Sequence, residues 1–128
     1  MPHTRPTVLL LAEDDDALRA LLLRALRREG YMVIEASDGQ QLLDLASAAA
    51  SRPDLVVSDV QMPRLSGTDA LRKLRRTGLA CPVIFITAFG VSDAHRDVVA
   101  LGDCTIMEKP VDLMELTTLV RERLAAAG

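Results

Sequence analysis

Four consecutive carboxylates, Glu13, Asp14, Asp15 and Asp16, follow directly on the apolar run "TVLLLA" at 7–12. Asp59 closes the run "DLVVSD" at 54–59, Thr87 closes "PVIFIT" at 82–87, and Lys109 follows "CTIME" at 104–108. If these runs are parallel strands of one sheet, their ends share one edge, and acids, a hydroxyl and a lysine meet there. Gathered carboxylate oxygens call for a hard cation. Mg²⁺ fits best, because it takes oxygen ligands octahedrally, keeps several waters and shares its site with phosphate. Mn²⁺ suits the same oxygen donors. Lys109 can hold a phosphoryl oxygen as a point charge, and Thr87 can donate one hydrogen bond. The set suits phosphoryl transfer, where positioning and charge neutralisation do most of the work. A carboxylate can then be the nucleophile, giving an acyl phosphate. Each residue also has a plainer reading. Acids ahead of a helix cap it and complement its dipole, a role that Asp15 and Asp16 keep. Thr87 alone is an ordinary strand end, and Lys109 alone a solvated charge.

The elements that must position these residues alternate along the chain. Short β-branched or Leu-rich runs lie at 7–12, 31–36, 54–59, 82–87 and 104–108. Between them, Leu18, Leu21, Leu22, Ala25 and Leu26 recur at helical spacing, as do Ala70, Leu71 and Leu74, and later Leu116, Leu119, Val120 and Leu124. Gly30 and Gly78 sit just past helix ends. "SDGQ" (37–40) and "DLME" (112–115) read as capping boxes, and Ser66 as the N-cap of the third helix. The fourth helix, "SDAHRDVVALG" (92–102), is weakly amphipathic. The predicted architecture is α/β, (βα)₅. Strands such as "VIFIT" are apolar throughout and must be covered on both faces, as in a parallel sheet. Five units are too few for an eight-stranded barrel, which leaves an open, doubly wound sheet. Ligands of such sheets bind at the carboxyl ends of the strands.

Composition bounds the rest. The chain has 128 residues and a net charge of −3, with 49% of residues hydrophobic but only two Phe, one Tyr and no Trp. One domain is expected over 7–126, after a disordered tail at 1–6, with a core of Leu, Val, Ile, Ala and Met. The acidic balance argues against direct nucleic-acid binding by this domain. No apolar run reaches the roughly 20 residues of a membrane span, and "MPHTRPT" has no apolar signal-peptide core, so a cytoplasmic location is expected. Cys81 and Cys104 lack metal-ligand spacing and are expected as reduced thiols. The basic runs "RALRR" (24–28) and "RKLRR" (72–76) are expected to be solvated helix faces. His3 and His95 are assigned no chemistry.

In order and spacing, the acids after the first strand, "DVQMPRLSG" around the third, "ITAFG" at the fourth and "GDCTIMEKP" at the fifth resemble the receiver domain of two-component response regulators, over roughly residues 6–126. The resemblance implies a flavodoxin-like sheet of strand order 2-1-3-4-5. It implies Asp59 as phosphoacceptor and Glu13 and Asp14 as the acidic pair, with Asp14 a direct Mg²⁺ ligand and Glu13 a water-mediated one. It also implies the Gln61 backbone carbonyl as a third metal ligand, and Thr87 and Lys109 as phosphoryl contacts. Ala88 is the small residue past which the phosphodonor approaches, and Gln61 and Phe89 flank the site. Met62, Pro63 and Gly67 fit the turn after the phosphoacceptor, and the Lys109–Pro110 bond is often cis in the family.

Two positions depart from the pattern. Glu13 stands where Asp is commoner. Ile106 stands where receivers commonly carry the Tyr or Phe whose inward swing accompanies the shift of the threonine, which leaves an aromatic switch open. The function implied is a phosphorylation-dependent switch. Asp59 would take a phosphoryl group from a sensor histidine kinase or phosphotransfer protein, and the fourth helix, fifth strand and fifth helix would carry output, including homodimerisation. The protein would not be a dedicated enzyme, although it catalyses its own phosphoryl transfer and dephosphorylation. Two rivals remain open on these residues. One is a phosphorylation-independent module on the same fold. The other is a Mg²⁺-dependent phosphatase of the haloacid dehalogenase type, which puts its nucleophile in a D-x-D pattern after the first strand and needs a cap or further strands, whereas the acids here read Glu-Asp-Asp-Asp and the chain is short.

Overall fold

A computed structural model describes residues 5–48, 52–88 and 98–127. Five strands, β1 (Val8–Ala12), β2 (Met32–Ala36), β3 (Leu55–Asp59), β4 (Val83–Thr87) and β5 (Cys104–Glu108), form one parallel sheet in the order β2-β1-β3-β4-β5. Four helices are described: α1 (Asp16–Arg28), α2 (Gly39–Ser47), α3 (Gly67–Arg76) and α4 (Leu113–Ala127), the last being the fifth helix expected from the sequence. The expected helix at 92–102 lies mostly outside the described residues, as do Phe89, His3 and His95; Val98 and Val99 are helical. The predicted fold class and strand order stand.

The alternation of side chains along each strand builds two apolar layers. Leu9, Leu11, Val57, Ile84, Ile86 and Met107 face α1 and α4, meeting Leu22, Leu26, Leu116 and Val120. Leu10, Val56, Val83 and Phe85 face the other way, onto Leu42, Leu71, Leu74, Val98 and Leu101. Every residue of β3 and β4 is buried, whereas the edge strands β2 and β5 each expose residues. Burying each of these large aliphatic side chains contributes roughly 2 kcal/mol. That suffices for a core that holds one fully buried aromatic ring, Phe85.

The register sets the functional edge. Ala12 pairs with Ser58, Asp59 with Ile86, and Thr87 with Glu108, so β1, β3, β4 and β5 end nearly level. The helix starts follow the expected chemistry in part. Ser66 caps α3 by accepting from the Asp69 amide at 3.1 Å, and Asp112 accepts from the Glu115 amide at 3.0 Å. The second helix is capped differently from expectation. Asp38, not Ser37, is its N-cap and accepts from the Gln41 amide at 2.8 Å. The Gln41 side chain in turn accepts from the Ser37 amide at 2.8 Å, while Gln40 points outward to Asp44. A carboxylate one residue closer to the first turn outcompetes the serine hydroxyl for the orphan amide.

The run "RKLRR" is not wholly a solvated face. The Arg75 guanidinium donates to the carbonyls of Leu101 at 2.7 Å, Cys81 at 2.7 Å and Leu79 at 3.0 Å. It thereby ties the end of α3 to the loops entering β4 and β5. A planar fork of five donors can satisfy several loop carbonyls that lack strand partners. Arg24, Arg27 and Arg28 are exposed, as expected. The two thiols are free and half-buried, and burial pushes Cys81 up to about 11 and Cys104 upward.

Candidate functional site

The chain turns out of β1 at Glu13, whose amide still donates to the Ala36 carbonyl at 3.0 Å in the manner of the sheet. That bond carries the Glu13 side chain inward, where it is 1% exposed, while Asp14 faces solvent. One Glu13 oxygen, Oε2, accepts from the Asp15 amide at 2.9 Å. The other, Oε1, is buried without a hydrogen bond of good geometry and lies 3.2 Å from Lys109 Nζ as an ion pair. Asp15 caps α1 by accepting from the Leu18 amide at 2.9 Å, and Asp16 begins the helix in an ion pair with Arg19 at 2.7 Å. Of the four acids, buried Glu13 and exposed Asp14 lie with Asp59, while Asp15 and Asp16 stand at the exposed start of α1.

Asp59 is the last residue of β3 and is buried. Its Oδ2 accepts from Lys109 Nζ at 2.7 Å, and its Oδ1 accepts from the Gln61 amide at 3.3 Å. Lys109 is placed by its own amide, which donates to the Thr87 carbonyl at 2.8 Å, and the Lys109–Pro110 peptide is cis. Thr87 ends β4 buried, and Ala88 after it is exposed. The loop after Asp59 returns through Arg64, at φ 70°, and is pinned from below by Gly67. A Cβ on Gly67 would come within 2.0 Å of the Asp59 carbonyl oxygen. Ile106 sits one face away, half-buried against the layer that holds Val98 and Leu101.

The electrostatics are those of a crowded anionic pocket with one cation. Burial pushes the Glu13 carboxyl up to about 7. The charge of Asp59 adds to this, and the Asp15 amide and Lys109 oppose it. Burial alone would lower Lys109, but the hydrogen bond and charge of Asp59, with Glu13, outweigh it and hold the lysine above its ordinary value. Carboxylate oxygens of Glu13, Asp14 and Asp59 lie within 4.8 Å of one another. Three such oxygens, one from each residue, fit a divalent cation with a preference for oxygen, and Glu13 Oε1 is buried with only the Lys109 ammonium, at 3.2 Å, beside it. Glu13, Asp14, Asp59 and Lys109 are thus brought together. Gln61 is exposed beside them and Thr87 closes the neighbouring strand.

Sequence reasoning missed the groups that hold this pocket in shape. Arg19 donates to the Glu13 carbonyl at 2.8 Å, and a Cβ on Gly39 would meet the Leu65 carbonyl at 1.7 Å, which marks how closely α2 abuts the loop after Asp59. Neither leaves a signal in periodicity, although the Asp16–Arg19 spacing itself is a visible i,i+3 pair. Arg5 was likewise passed over; it pairs with Asp54, whose carboxylate also accepts from the Val8 amide at 2.8 Å.

The chain is similar to known proteins over most of its length. Residues 9–121 match the response regulator receiver domain family. The response regulator MprA of Mycolicibacterium vanbaalenii is 40% identical over 119 residues, which is 93% of this chain and 51% of that protein. The sensor kinase CckA of Brucella abortus is 37% identical over 115 residues, 90% of this chain and 12% of that protein. The chain thus spans about half or less of the length of these relatives. The signal receiver domain of a putative LuxO repressor protein from Vibrio parahaemolyticus superposes with a TM-score of 0.88 at 27% identity, covering 96% of this chain and 93% of that one. Receiver domains generally bind Mg²⁺, and response regulators are signalling proteins rather than dedicated enzymes. Among the described residues no helix is long and apolar enough to cross a membrane. A match over nearly the whole chain, on a sheet of the family's strand order, makes this protein a member of the response regulator receiver domain family of two-component systems.

Proposed function

We propose that the protein is a phosphorylation-dependent switch that accepts a phosphoryl group on Asp59 from the phosphohistidine of a sensor kinase or phosphotransfer protein. The observation that carries this reading is the Asp59 carboxylate. It is buried at a strand end, with one oxygen held by Lys109 at 2.7 Å and the other by the Gln61 amide at 3.3 Å, and it faces two further acids. A bound Mg²⁺, held by Asp14, Asp59 and the Gln61 carbonyl with Glu13 through water, would supply charge neutralisation for the phosphoryl oxygens. Asp59 attacks phosphorus. The O–P bond forms as the P–N bond breaks, and the imidazole leaves with the proton on its second nitrogen. Lys109, tethered to β4 through its own amide, stays with the transferred oxygens as a fixed positive charge. Small, exposed Ala88 leaves room for the donor to approach.

Phosphorylation adds charge and three acceptor oxygens. Thr87 moves toward them, and β5 and α4 shift as a two-state element that carries output or homodimerisation. Ile106 takes part through aliphatic packing against the layer of Val98 and Leu101. Incubation with Mg²⁺ and acetyl phosphate is expected to add one phosphoryl group per chain, and addition of EDTA to prevent it. Labelling that persists in EDTA would remove the metal from the reading.

Two further outcomes are expected. Lys109→Ala should keep Mg²⁺ binding, since a positive charge leaves a cation site, but slow labelling by roughly a hundredfold and blunt the response to phosphorylation. Stopped-flow labelling beside a Mg²⁺ titration checks both, and wild-type labelling by the variant would take Lys109 out of the mechanism. The second outcome concerns pH. Because the folded-state pKa of Glu13 is raised to about 7, its carboxylate costs the metal-free protein stability as pH rises from the ordinary glutamate value toward 7. A cation near the carboxylate must displace that proton. Mg²⁺ affinity should therefore weaken about tenfold between one unit above and one unit below that pKa. A flat affinity profile across this window in calorimetry would contradict the assignment of Glu13 to the metal pocket.

A further inference from the structure

Glu13 is held at four points. Its amide bonds Ala36 on β2, its Oε2 takes the Asp15 amide, and its Oε1 pairs with Lys109 at 3.2 Å. The fourth comes from α1. Arg19, only 17% exposed along its side chain, donates from Nη1 to the Glu13 carbonyl at 2.8 Å. Its other two nitrogens each donate to a carboxylate, Nη2 to Asp16 at 2.7 Å and Nε to Glu35 at 3.3 Å. One rigid fork thus joins the first turn of α1, β2 near its end and the peptide between the two members of the acidic pair. Three separated donor nitrogens on one plane can do this, and a single ammonium cannot.

We propose that Arg19 is a positioning residue of the metal pocket, fixing the peptide between Glu13 and Asp14 so that both carboxylates converge on Asp59. The inference rests on the Mg²⁺ reading given above and deepens it. Arg19 touches no carboxylate oxygen of that pocket and acts through the backbone. Glu35, exposed on β2 and idle in the phosphoryl chemistry, gains a role here: with Asp16 it neutralises the guanidinium, so that a fixed cation can stand beside a cation site without repelling its occupant.

The proposal has a sign that separates it from plain electrostatics. Removing a positive charge near a cation site should tighten binding if charge alone matters. Loss of positioning should weaken it, typically by about tenfold for a group that orients a metal ligand. Isothermal titration of Mg²⁺ into the wild type and Arg19→Gln, with melting curves of both in EDTA, decides between them. The expected result is Arg19→Gln folded in EDTA and binding Mg²⁺ about tenfold more weakly. Equal or tighter binding would overturn the proposal. Arg19→Lys keeps the charge and covers the case in which the glutamine variant does not fold. It should also bind more weakly, and wild-type affinity in that variant would be equally fatal. A wild type that takes up no Mg²⁺ in the same titration would instead bring down the metal reading itself, and the positioning role with it.

Discussion

Replacing Asp59 by Asn is expected to abolish Mg²⁺-dependent phosphorylation by acetyl phosphate, a loss on the order of a hundredfold or more. The substitution changes little in shape. The amide oxygen can accept from Lys109 or from the Gln61 amide, but not from both as the two carboxylate oxygens do at 2.7 and 3.3 Å, and the amide NH2 then faces the remaining donor. What disappears is the nucleophile and one of the three negative charges of the pocket. The same change should act on Glu13. The Asp59 charge helps to raise the Glu13 pKa, so the Asn variant should return that carboxyl toward its ordinary value and weaken the pH dependence of the pocket. Carboxylate NMR of wild type and variant reads this shift. Labelling of Asp59→Asn at the wild-type rate would place the chemistry on another residue.

The second large effect is structural and sits directly beneath the same carboxylate. Gly67→Ala must place a methyl 2.0 Å from the Asp59 carbonyl oxygen and 2.6 Å from Ser58 Oγ. Neither neighbour can swing away. The carbonyl belongs to the last residue of a fully buried strand, and the Ser58 hydroxyl already donates to it at 2.9 Å. The Gly67 amide is itself bonded to the Val60 carbonyl at 2.9 Å, so α3 cannot back off without losing that bond. Overpacking of this kind costs about 2–4 kcal/mol, which for a domain of this size lowers the melting temperature by roughly 10 °C. Gly30→Ala is the informative control. Nothing lies within 4 Å of its Cβ, but its φ is +95°, so its cost is backbone strain alone, about 1 kcal/mol. A Gly67 variant no less stable than the Gly30 variant would show that the loop after Asp59 yields more easily than its packing implies. With the loop displaced, Mg²⁺ affinity should fall as well.

Much of this site was legible before any coordinates. The apolar runs ended one after another in Glu13, Asp59, Thr87 and Lys109, and a parallel sheet has no choice but to bring such ends to one edge. Four of the five strands begin one residue later than their apolar runs, and the contact of Lys109 with Asp59 follows from the register. What periodicity does not encode is which donor reaches which backbone carbonyl. Arg75 and Arg76 are neighbours of the same type, yet one is bound to loop carbonyls of four residues and the other is exposed. Arg19 reads as an i,i+3 partner of Asp16 and nothing more until the end of β2 and the loop after β1 are placed beside it. Asp38 over Ser37 at the start of α2 is a contest between two good caps one residue apart, and Asp38 takes the Gln41 amide while Ser37 is bonded back to the Gln41 side chain. Glu13 and Asp14 look alike in sequence. In the fold the Glu13 amide bonds Ala36 and its side chain takes the Asp15 amide and Lys109, and it is buried, whereas Asp14 is exposed.

The central claim is that one carboxylate, Asp59, becomes the acyl phosphate. Its most direct test is to treat the wild-type chain with Mg²⁺ and acetyl phosphate, trap the acyl phosphate by borohydride reduction, and locate the reduced residue by peptide mass spectrometry. The account predicts a single modified position, Asp59, absent when EDTA is present. Modification at Asp14, Glu13 or any other carboxylate, or none at Asp59 under conditions that label the chain, would contradict it.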